Sequence, residues 1–277
     1  MRRSYSKGLF LVLLAGLVLS GCAKQKAAEP AAIPTVMATA NEYAFQIPDT
    51  LTAGVTTIRL TNSGKEFHHL ILFRLPEGMT MGQFQQMKPD APPPAGMVIA
   101  GGPNPAVPGG GTVEAMLNLQ PGHYVAACMV PTREGIPHML KGMMHEVTVI
   151  PGQSTAQLPE ADVTITLADY KFETSKPLSA GRHVIRIDNA GPQMHELVFV
   201  KLDAGKTVED VGKWAQKLEG PPPFTAMPGA APMGPGASVT VTEELTAGDY
   251  VLICFVPDAK DGKPHVEHGM VQQIKVM

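Results

Sequence analysis

The 277-residue sequence contains one pattern twice, at an offset of about 127 residues. Asn-Glu-Tyr-Ala-Phe at residues 41–45 matches Ala-Asp-Tyr-Lys-Phe at residues 168–172. The segment that begins at Cys128 matches the segment that begins at Cys254 in the same way. Because the matches keep the same order in both halves, the sequence predicts two copies of one folding unit in tandem.

Within each half, short apolar segments alternate with turn residues. The chain has 28 Gly and 26 Pro but only 5% aromatic residues, which suits short strands joined by many turns. The turns at residues 62–64 and 189–191 contain Asn and Gly, which tolerate positive φ. Each turn precedes an apolar strand, at residues 68–75 and 195–202. The sequence therefore predicts an all-β fold with one β-sandwich in each half.

Each half also predicts one short helix after this strand. Residues 207–218 begin with the capping residue Thr207 and carry apolar residues at helical spacing, and residues 80–87 form a shorter counterpart. Residues 88–111 and 219–236 are rich in Pro and Gly and have no clear period. We expect both of these segments to be loops over one end of a sandwich.

The N-terminus has the pattern of an export signal. Three basic residues precede an apolar run at residues 9–19, which is too short to span a bilayer comfortably. The run ends in Leu-Ser-Gly-Cys at residues 19–22, which resembles the lipobox of bacterial lipoproteins. That resemblance implies that Cys22 is lipidated and begins the mature chain. Ala23 rather than Asp follows, which implies the periplasmic face of the outer membrane.

The predicted organisation has five parts. They are a signal peptide with lipobox at 1–22, a tether at 23–34, one domain at 35–151, a linker at 152–160 and a second domain at 161–277. The formal net charge is −3 and becomes more negative when the signal is removed. The chain therefore predicts no nucleic-acid partner, and its expected membrane contact is the lipid anchor.

The two matching cysteine segments place three kinds of metal donor close together in sequence. Residues 128–143 and residues 254–270 each begin with Cys, continue to a Pro-His pair, and end in Met after four more residues. Thiolate and thioether groups suit Cu(I), and imidazole suits both oxidation states of copper. Taken singly, such a Cys is often only a small buried hydrophobe and such a Pro-His only a turn. The repeated order of donors favours copper.

The order Asn-x-Gly-x-x-x-His, then Tyr-x-x-x-Cys, then His and Met resembles the cupredoxin family of blue copper proteins. The resemblance implies two tandem cupredoxin-like Greek-key sandwiches, each with a trigonal two-His, one-Cys copper site and a weak axial Met. The implied copper ligands are His68, Cys128, His138 and Met143 in the first half, and His195, Cys254, His265 and Met270 in the second. One departure is the long segment from Cys to the second His, with nine intervening residues in the first half.

Two neighbours make the first set of ligands ambiguous, because His69 adjoins His68 and Met144 adjoins Met143. We therefore expect the second half to hold the better copper site. The remaining histidines have no counterpart in the other half and are expected at the surface. They are His69, His123, His145, His183 and His268.

The expected function is one-electron transfer by mononuclear copper on an exported, lipid-anchored protein of the cell envelope. The alternatives are periplasmic copper capture or delivery, and a metal-free cupredoxin-like binding module. The partner is expected to be a redox or copper-exchange protein. No His-Cys-His or His-x-His pattern is present for a second type of copper, so the sequence predicts a protein that is not an enzyme.

Overall fold

The structure is a computed structural model that describes Met1 and residues 31–88, 91–152 and 155–277. The predicted signal peptide, the lipidation site Cys22 and most of the tether lie outside the described residues. Among the described residues, no helix is both long enough and apolar enough to cross a membrane.

Strands make up nearly all of the regular secondary structure in each half. The first half contains β1 Thr35–Asn41, β2 Ala44–Gln46, β3 Thr50–Thr52, β4 Gly54–Asn62, β5 Ile71–Arg74, α1 Met81–Gln85, β6 Val98–Ile99, β7 Gly111–Leu119, β8 Gly122–Ala127, a 3₁₀ turn His138–Lys141 and β9 Met144–Ile150. The second half contains β10 Val163–Ala168, β11 Lys171–Thr174, β12 Gly181–Asn189, β13 His195–Leu202, α2 Val208–Lys217, β14 Phe224–Met233, β15 Ser238–Leu245, β16 Gly248–Ile253, a 3₁₀ turn His265–His268 and β17 Val271–Val276.

The strands form three sheets. The largest has the order β11-β10-β12-β15-β7-β4-β1-β2, and the other two have the orders β3-β9-β8-β5-β6 and β14-β13-β16-β17. Each half lays its portion of the large sheet over its own smaller sheet. The fold is therefore all-β, with two tandem cupredoxin-like sandwiches and one short helix in each, as the sequence predicts.

The strands form where the sequence alternates between apolar and polar residues. In β12, for example, Ile185 and Ile187 are buried while Arg186 between them is exposed. Successive strand side chains point to opposite faces, so this alternation directs one face into the sandwich core. Both helices begin with a capping box, although the sequence prediction includes a capping residue only for the second. Thr80 pairs with Gln83, and Thr207 pairs with Asp210.

Both predicted loops contain a strand, because residues 98–99 form the short strand β6 and residues 224–233 form β14. Pro is tolerated there because β14 is an edge strand of its sheet. Its pairing with β13 is interrupted by two register shifts. At Gly229 a Cβ would lie 2.2 Å from the carbonyl oxygen of Leu197, so only glycine allows this approach. The two-residue hydrophobic alternation that predicts regular strands is absent here, so the sequence does not predict this irregular strand.

The two sandwiches are joined directly as well as through the chain. Strand β7 of the first half pairs with β15 of the second at Met116 and Thr240. The Asn104 side chain donates a hydrogen bond of 2.7 Å to the carbonyl oxygen of Met227, and the Ala231 N–H donates one of 2.9 Å to the Gly102 carbonyl oxygen. The large sheet is therefore continuous across both halves, which the sequence pattern does not predict.

Candidate metal centres

The fold brings the candidate donors of the first half together at the end of β8. Cys128 directly follows that strand, and His138 opens the 3₁₀ turn. The Cys128 N–H donates to the Met143 carbonyl oxygen at 3.3 Å, and the Met143 N–H donates to the His138 carbonyl oxygen at 3.1 Å. These backbone bonds tie the segments of three candidate ligands to one another. His68 reaches them from the turn before β5.

The second half repeats this arrangement. The Cys254 N–H donates to the Met270 carbonyl oxygen at 3.2 Å, and the Met270 N–H donates to the His265 carbonyl oxygen at 2.9 Å. His195 is the first residue of β13. Met143 and Met270 are both fully buried beside their cysteines. All eight candidate ligands therefore lie at matching places in the two folds.

The three nitrogen and sulfur donors of each half form a small triangle. In the first half, the Nδ1 atoms of His68 and His138 are 3.1 Å apart, and the Cys128 Sγ lies 4.0 Å from the first nitrogen and 3.5 Å from the second. In the second half, the matching distances among His195, His265 and Cys254 are 3.1, 4.0 and 3.4 Å. The geometry does not distinguish a better site from a worse one.

These triangles have the size that a metal ion requires. The point equidistant from the three donor atoms lies about 2.1 Å from each atom in either half, within the range of about 2.0–2.3 Å known for bonds from nitrogen and sulfur to zinc. A borderline-to-soft donor set of two imidazoles and one thiolate suits copper or zinc. Each group could therefore hold one such ion without rearrangement of its three donors.

Burial favours the neutral form of both donor types. The neutral imidazoles are ready to bind a metal, whereas the thiols must first lose a proton. All six side chains of the two triangles are fully buried. Desolvation lowers the pKa of each of the four imidazoles, and it lowers the pKa of His265 to about 4, so these rings are neutral at pH 7. Desolvation raises the pKa of Cys128 to about 12 and also raises that of Cys254. A bound cation is needed to stabilise either thiolate.

The long segment between Cys and the second His closes on itself as a small hairpin. Pro131 bridges Pro137 in the first half, and Pro257 bridges Pro264 in the second. The His138 N–H then donates to the Val130 carbonyl oxygen at 3.0 Å. The ends of the segment therefore meet although its sequence is long, because added loop length costs little once the ends are paired.

The structure also shows which of two adjacent histidines faces the group. His69 lies outside the triangle, where its Nε2 accepts a hydrogen bond of 2.7 Å from the Met129 N–H. The expected surface position of His69 is wrong, since it is almost fully buried and desolvation lowers its pKa to about 3. His183 is also buried rather than at the surface, and its Nδ1 lies 3.0 Å from the Oδ2 of Asp162.

The sequence reasoning missed a residue that matches His69 in the second half. Glu196 accepts a hydrogen bond of 2.8 Å from the Phe255 N–H, the group that corresponds to the Met129 N–H. Desolvation raises the pKa of Glu196 to about 7. The offset between the halves places Glu196 at the position of the repeat that His69 occupies in the first half. The repeat could therefore have indicated that both side chains accept a hydrogen bond from the backbone N–H of the residue after the cysteine.

A groove of about 1910 Å³ lies between the two halves. Met129 and Phe255, the residues that directly follow the two cysteines, both line it. Much of the remaining lining is apolar and comes from both sandwiches. It includes Phe67, Phe84, Met97, Met194, Trp214 and Phe224. Each candidate metal group therefore has a short covalent route to one shared surface.

The fold and the paired three-donor groups define a tandem cupredoxin-like protein with two candidate copper centres. No known protein-family model matches the chain, and no curated protein matches it. Auracyanin B is a similar solved structure, with 22% identity over 43% of this chain and 91% of the auracyanin, at a TM-score of 0.31.

Two further solved structures extend over both halves. The copper-containing nitrite reductase of Thermus scotoductus is 14% identical over 88% of this chain and 61% of its own, at a TM-score of 0.24. The blue copper oxidase of Nitrosomonas europaea is 16% identical over 88% of this chain and 86% of its own, at a TM-score of 0.27.

The presence of a reductase and an oxidase among the similar structures contradicts the expectation that this protein is not an enzyme. That expectation rested on the absence of His-Cys-His and His-x-His patterns from the sequence. A catalytic centre can be assembled from residues that are far apart in the chain, and one fold supports several activities. The expectation is withdrawn.

Proposed function

We propose that this protein is an exported, lipid-anchored copper protein that transfers single electrons at one mononuclear centre in each half. The observation that carries the proposal is the near-identical spacing of one thiol and two imidazoles in both sandwiches. Both copies of the repeat thus keep the same arrangement of donors although much of their remaining sequence differs.

The protein residues have three tasks in this function. Copper supplies a one-electron couple between Cu(I) and Cu(II) when it is bound. The backbone hydrogen bonds around Cys254, His265 and Met270 hold the donor segments in fixed positions. Full burial of the donors excludes water from them. Fixed and dry donors change little between two oxidation states, which favours electron transfer.

The groove between the halves supports a role in exchange with a partner. Met129 and Phe255 line the groove, and each is joined by one peptide bond to a candidate copper ligand. A redox protein that docks there would come close to both thiolates. We therefore propose this groove as the contact surface for a redox partner of the cell envelope.

The sequence pattern at Cys22 supports the location proposed for this exchange. A lipid on Cys22 would place the two sandwiches at the periplasmic face of the outer membrane, with the following Ala-rich residues as a tether. The net negative charge of the chain also supports the proposal that it has no nucleic-acid partner.

The test is a redox titration of the copper-loaded protein in which visible spectroscopy monitors the oxidation state of the copper. A copper thiolate gives an intense visible charge-transfer band, and we expect each copper to take up one electron reversibly as the band bleaches. In a Cys128→Ser background, Cys254→Ser should abolish the band and Met270→Leu should shift it. Met227→Leu is the matched control, since Met227 is also a buried methionine of β14 but pairs with Phe199 rather than with a candidate ligand. A copper-loaded protein that cannot be cycled between its two states contradicts electron transfer.

One observation favours copper capture or delivery as a second candidate function. Seven partly buried methionines pack around one apolar cluster of the first half, and thioethers are soft ligands for Cu(I). They are Met79, Met81, Met87, Met97, Met129, Met144 and Met194. Uptake of more than two Cu(I) ions per chain would support this function, and saturation at two would count against it.

A further inference from the structure

We propose that four carboxylates act as outer ligands of the two centres, each by holding the outer nitrogen of one metal-facing imidazole. This inference rests on the copper sites proposed above. The pairs are Glu42 with His68, Glu66 with His138, Asp169 with His195, and Asp258 with His265.

The first imidazole of each centre forms an aligned hydrogen bond with its carboxylate. The Nε2 of His68 lies 3.3 Å from the Oε1 of Glu42, and the Nε2 of His195 lies 3.0 Å from the Oδ1 of Asp169. Ionised carboxylates only accept hydrogen bonds, so the proton of each ring stands on Nε2 and the lone pair on Nδ1. Both contacts therefore direct the lone pair into the triangle.

The second imidazole of each centre faces a carboxylate at ion-pair distance. The Nε2 of His138 lies 2.7 Å from the Oε2 of Glu66, and the Nε2 of His265 lies 3.6 Å from the Oδ2 of Asp258. Neither contact has the geometry of a hydrogen bond, and both nitrogens are buried without a hydrogen-bond partner among the described residues. Each of these ring nitrogens thus faces a carboxylate.

The two halves reach this second contact by different routes. Glu66 belongs to the turn before β5, and the repeat places Gln193 at the matching position. Asp258 belongs instead to the long segment between Cys254 and His265. Since two different parts of the fold supply the same group at the same place, the contact is more than a remnant of duplication. In the second half, the long segment between Cys254 and His265 supplies the carboxylate of Asp258 that makes this contact.

Other hydrogen bonds hold three of the four carboxylates, Glu42, Asp169 and Asp258, where they are. Asp258 accepts one of 2.6 Å from the Tyr170 hydroxyl and one of 3.0 Å from the Gln193 amide. The same Gln193 amide donates to Asp169 at 3.1 Å. In the first half, Glu42 accepts from the backbone N–H groups of Lys65 and Glu66. These side chains are fixed groups, unlike freely moving surface acids.

The inner nitrogens show what this arrangement requires. The proposed arrangement puts both ring protons of a centre on Nε2, so its two Nδ1 atoms, which are 3.1 Å apart, would face each other with lone pairs and no proton between them. Two acceptors at this distance repel unless a cation lies between them. The negative charge of two carboxylates near such a cation favours the more highly charged ion, Cu(II), over Cu(I).

Removal of one carboxylate charge should therefore weaken Cu(II) binding more than Cu(I) binding. Loss of an outer partner commonly lowers metal affinity about 10- to 100-fold. A change of that size confined to Cu(II) raises the one-electron reduction potential by about 60–120 mV. The shift should appear in the altered half alone.

The test uses Asp169→Asn in a full-length chain whose first centre is silenced by Cys128→Ser. Asn keeps the shape of Asp and can still accept from Nε2, but it carries no charge. The matched control is Asp162→Asn, because Asp162 lies 3.0 Å from the Nδ1 of His183 and touches no candidate ligand. We expect a higher reduction potential and weaker Cu(II) binding for Asp169→Asn, and the parent values for Asp162→Asn.

A second measurement needs no variant of Asp169 and remains available if that variant does not fold. In the Cu(I)-loaded Cys128→Ser protein, the Nε2–H protons of His195 and His265 should give NMR signals that exchange slowly with water. Equal potentials for Asp169→Asn and Asp162→Asn, or rapid exchange of both ring protons, overturns the inference and leaves the copper sites standing. A protein that takes up no copper overturns the proposed function and this inference together.

Discussion

His69 and Glu196 occupy the same position of the repeat and accept the same backbone N–H, but they differ in chemistry. His69 is neutral because desolvation lowers its pKa to about 3, whereas desolvation raises the pKa of Glu196 to about 7. The second half therefore keeps an ionisable acid beside Cys254, and the first half keeps a neutral ring beside Cys128. Two centres with similar donor triangles thus have different electrostatic surroundings.

Glu196 should make the metal-free protein less stable as the pH rises. The folded state holds the Glu196 proton up to about pH 7, while the unfolded state releases it near pH 4.5. The free energy of unfolding should fall as the pH rises through this window, by up to about 3 kcal/mol. Glu196→Gln should remove the loss and be more stable than the parent at pH 8, but not at pH 4.

Urea unfolding at several pH values measures this effect. Glu219→Gln is the matched control, because Glu219 is exposed. If Glu196→Gln and the parent lose the same free energy of unfolding between pH 4 and pH 8, Glu196 is not the group responsible.

Gly191 permits a close approach between the metal-facing ring and its carboxylate. A Cβ at this position would lie 2.6 Å from the Nε2 of His195 and 3.1 Å from the Oδ1 of Asp169. Gly191→Ala should therefore push the ring aside and cost about 1–3 kcal/mol of stability. Thermal unfolding checks this, with Gly212→Ala as the control. A Cβ at Gly212, within α2, meets no atom within 4 Å, so that change should be neutral or stabilising. Equal melting temperatures for the two variants would contradict the steric argument.

The donor residues were predictable from sequence because thiol, imidazole and thioether recur in the same order at one offset. The spacing Asn-x-Gly-x-x-x-His favours His68 over His69, but the adjacent imidazole leaves the choice open in the sequence, and only the structure shows that His69 lies outside the triangle. The carboxylates were not predictable. Glu66 and Asp258 stand at unrelated positions of the repeat, so no pattern links them before the fold brings each to its imidazole.

At the scale of elements, a buried asparagine organises the turn that carries each first histidine. The Asn189 side chain donates hydrogen bonds of 2.8 Å to the carbonyl oxygens of Gln193 and Met233, and it accepts one of 2.9 Å from the Gly191 N–H. Asn62 makes the matching bonds in the first half. The Asn-x-Gly pattern that marks a turn in the sequence is thus also a hydrogen-bonded support for His195.

Asn189→Asp should damage this turn, because the substituted carboxylate cannot donate to the two carbonyl oxygens. Each unsatisfied buried group costs about 1–3 kcal/mol, so we expect a loss of several kcal/mol in the free energy of unfolding. The control is Asn118→Asp on the exposed face of β7. Chemical denaturation compares the two. Similar midpoints for both variants would show that the side-chain bonds of Asn189 contribute little.

Elements with regular patterns were predictable, and the irregular one was not. The alternation in β12 and the capping box of α2 appear in the sequence as they do in the structure. Strand β14 contains Pro and Gly and follows a broken register, because it fits against both β13 and the first half. Its conformation depends on tertiary contacts, which no local pattern records.

At the scale of the whole molecule, the two sandwiches act as one body with two candidate centres. The pairing of β7 with β15 and the bond from Asn104 to Met227 join them without a ligand. The groove between them is lined by the residues that follow both cysteines. The two copies of the folding unit thus place two similar candidate centres next to one shared groove.

The central claim is that each half holds one copper ion on its own His-Cys-His group. Native mass spectrometry of the copper-loaded protein tests it most directly, because it counts ions per intact chain. We predict two copper ions in the parent, one in Cys128→Ser, one in Cys254→Ser and none in the double variant. A parent chain without bound copper, or two ions retained in either single variant, would contradict the account.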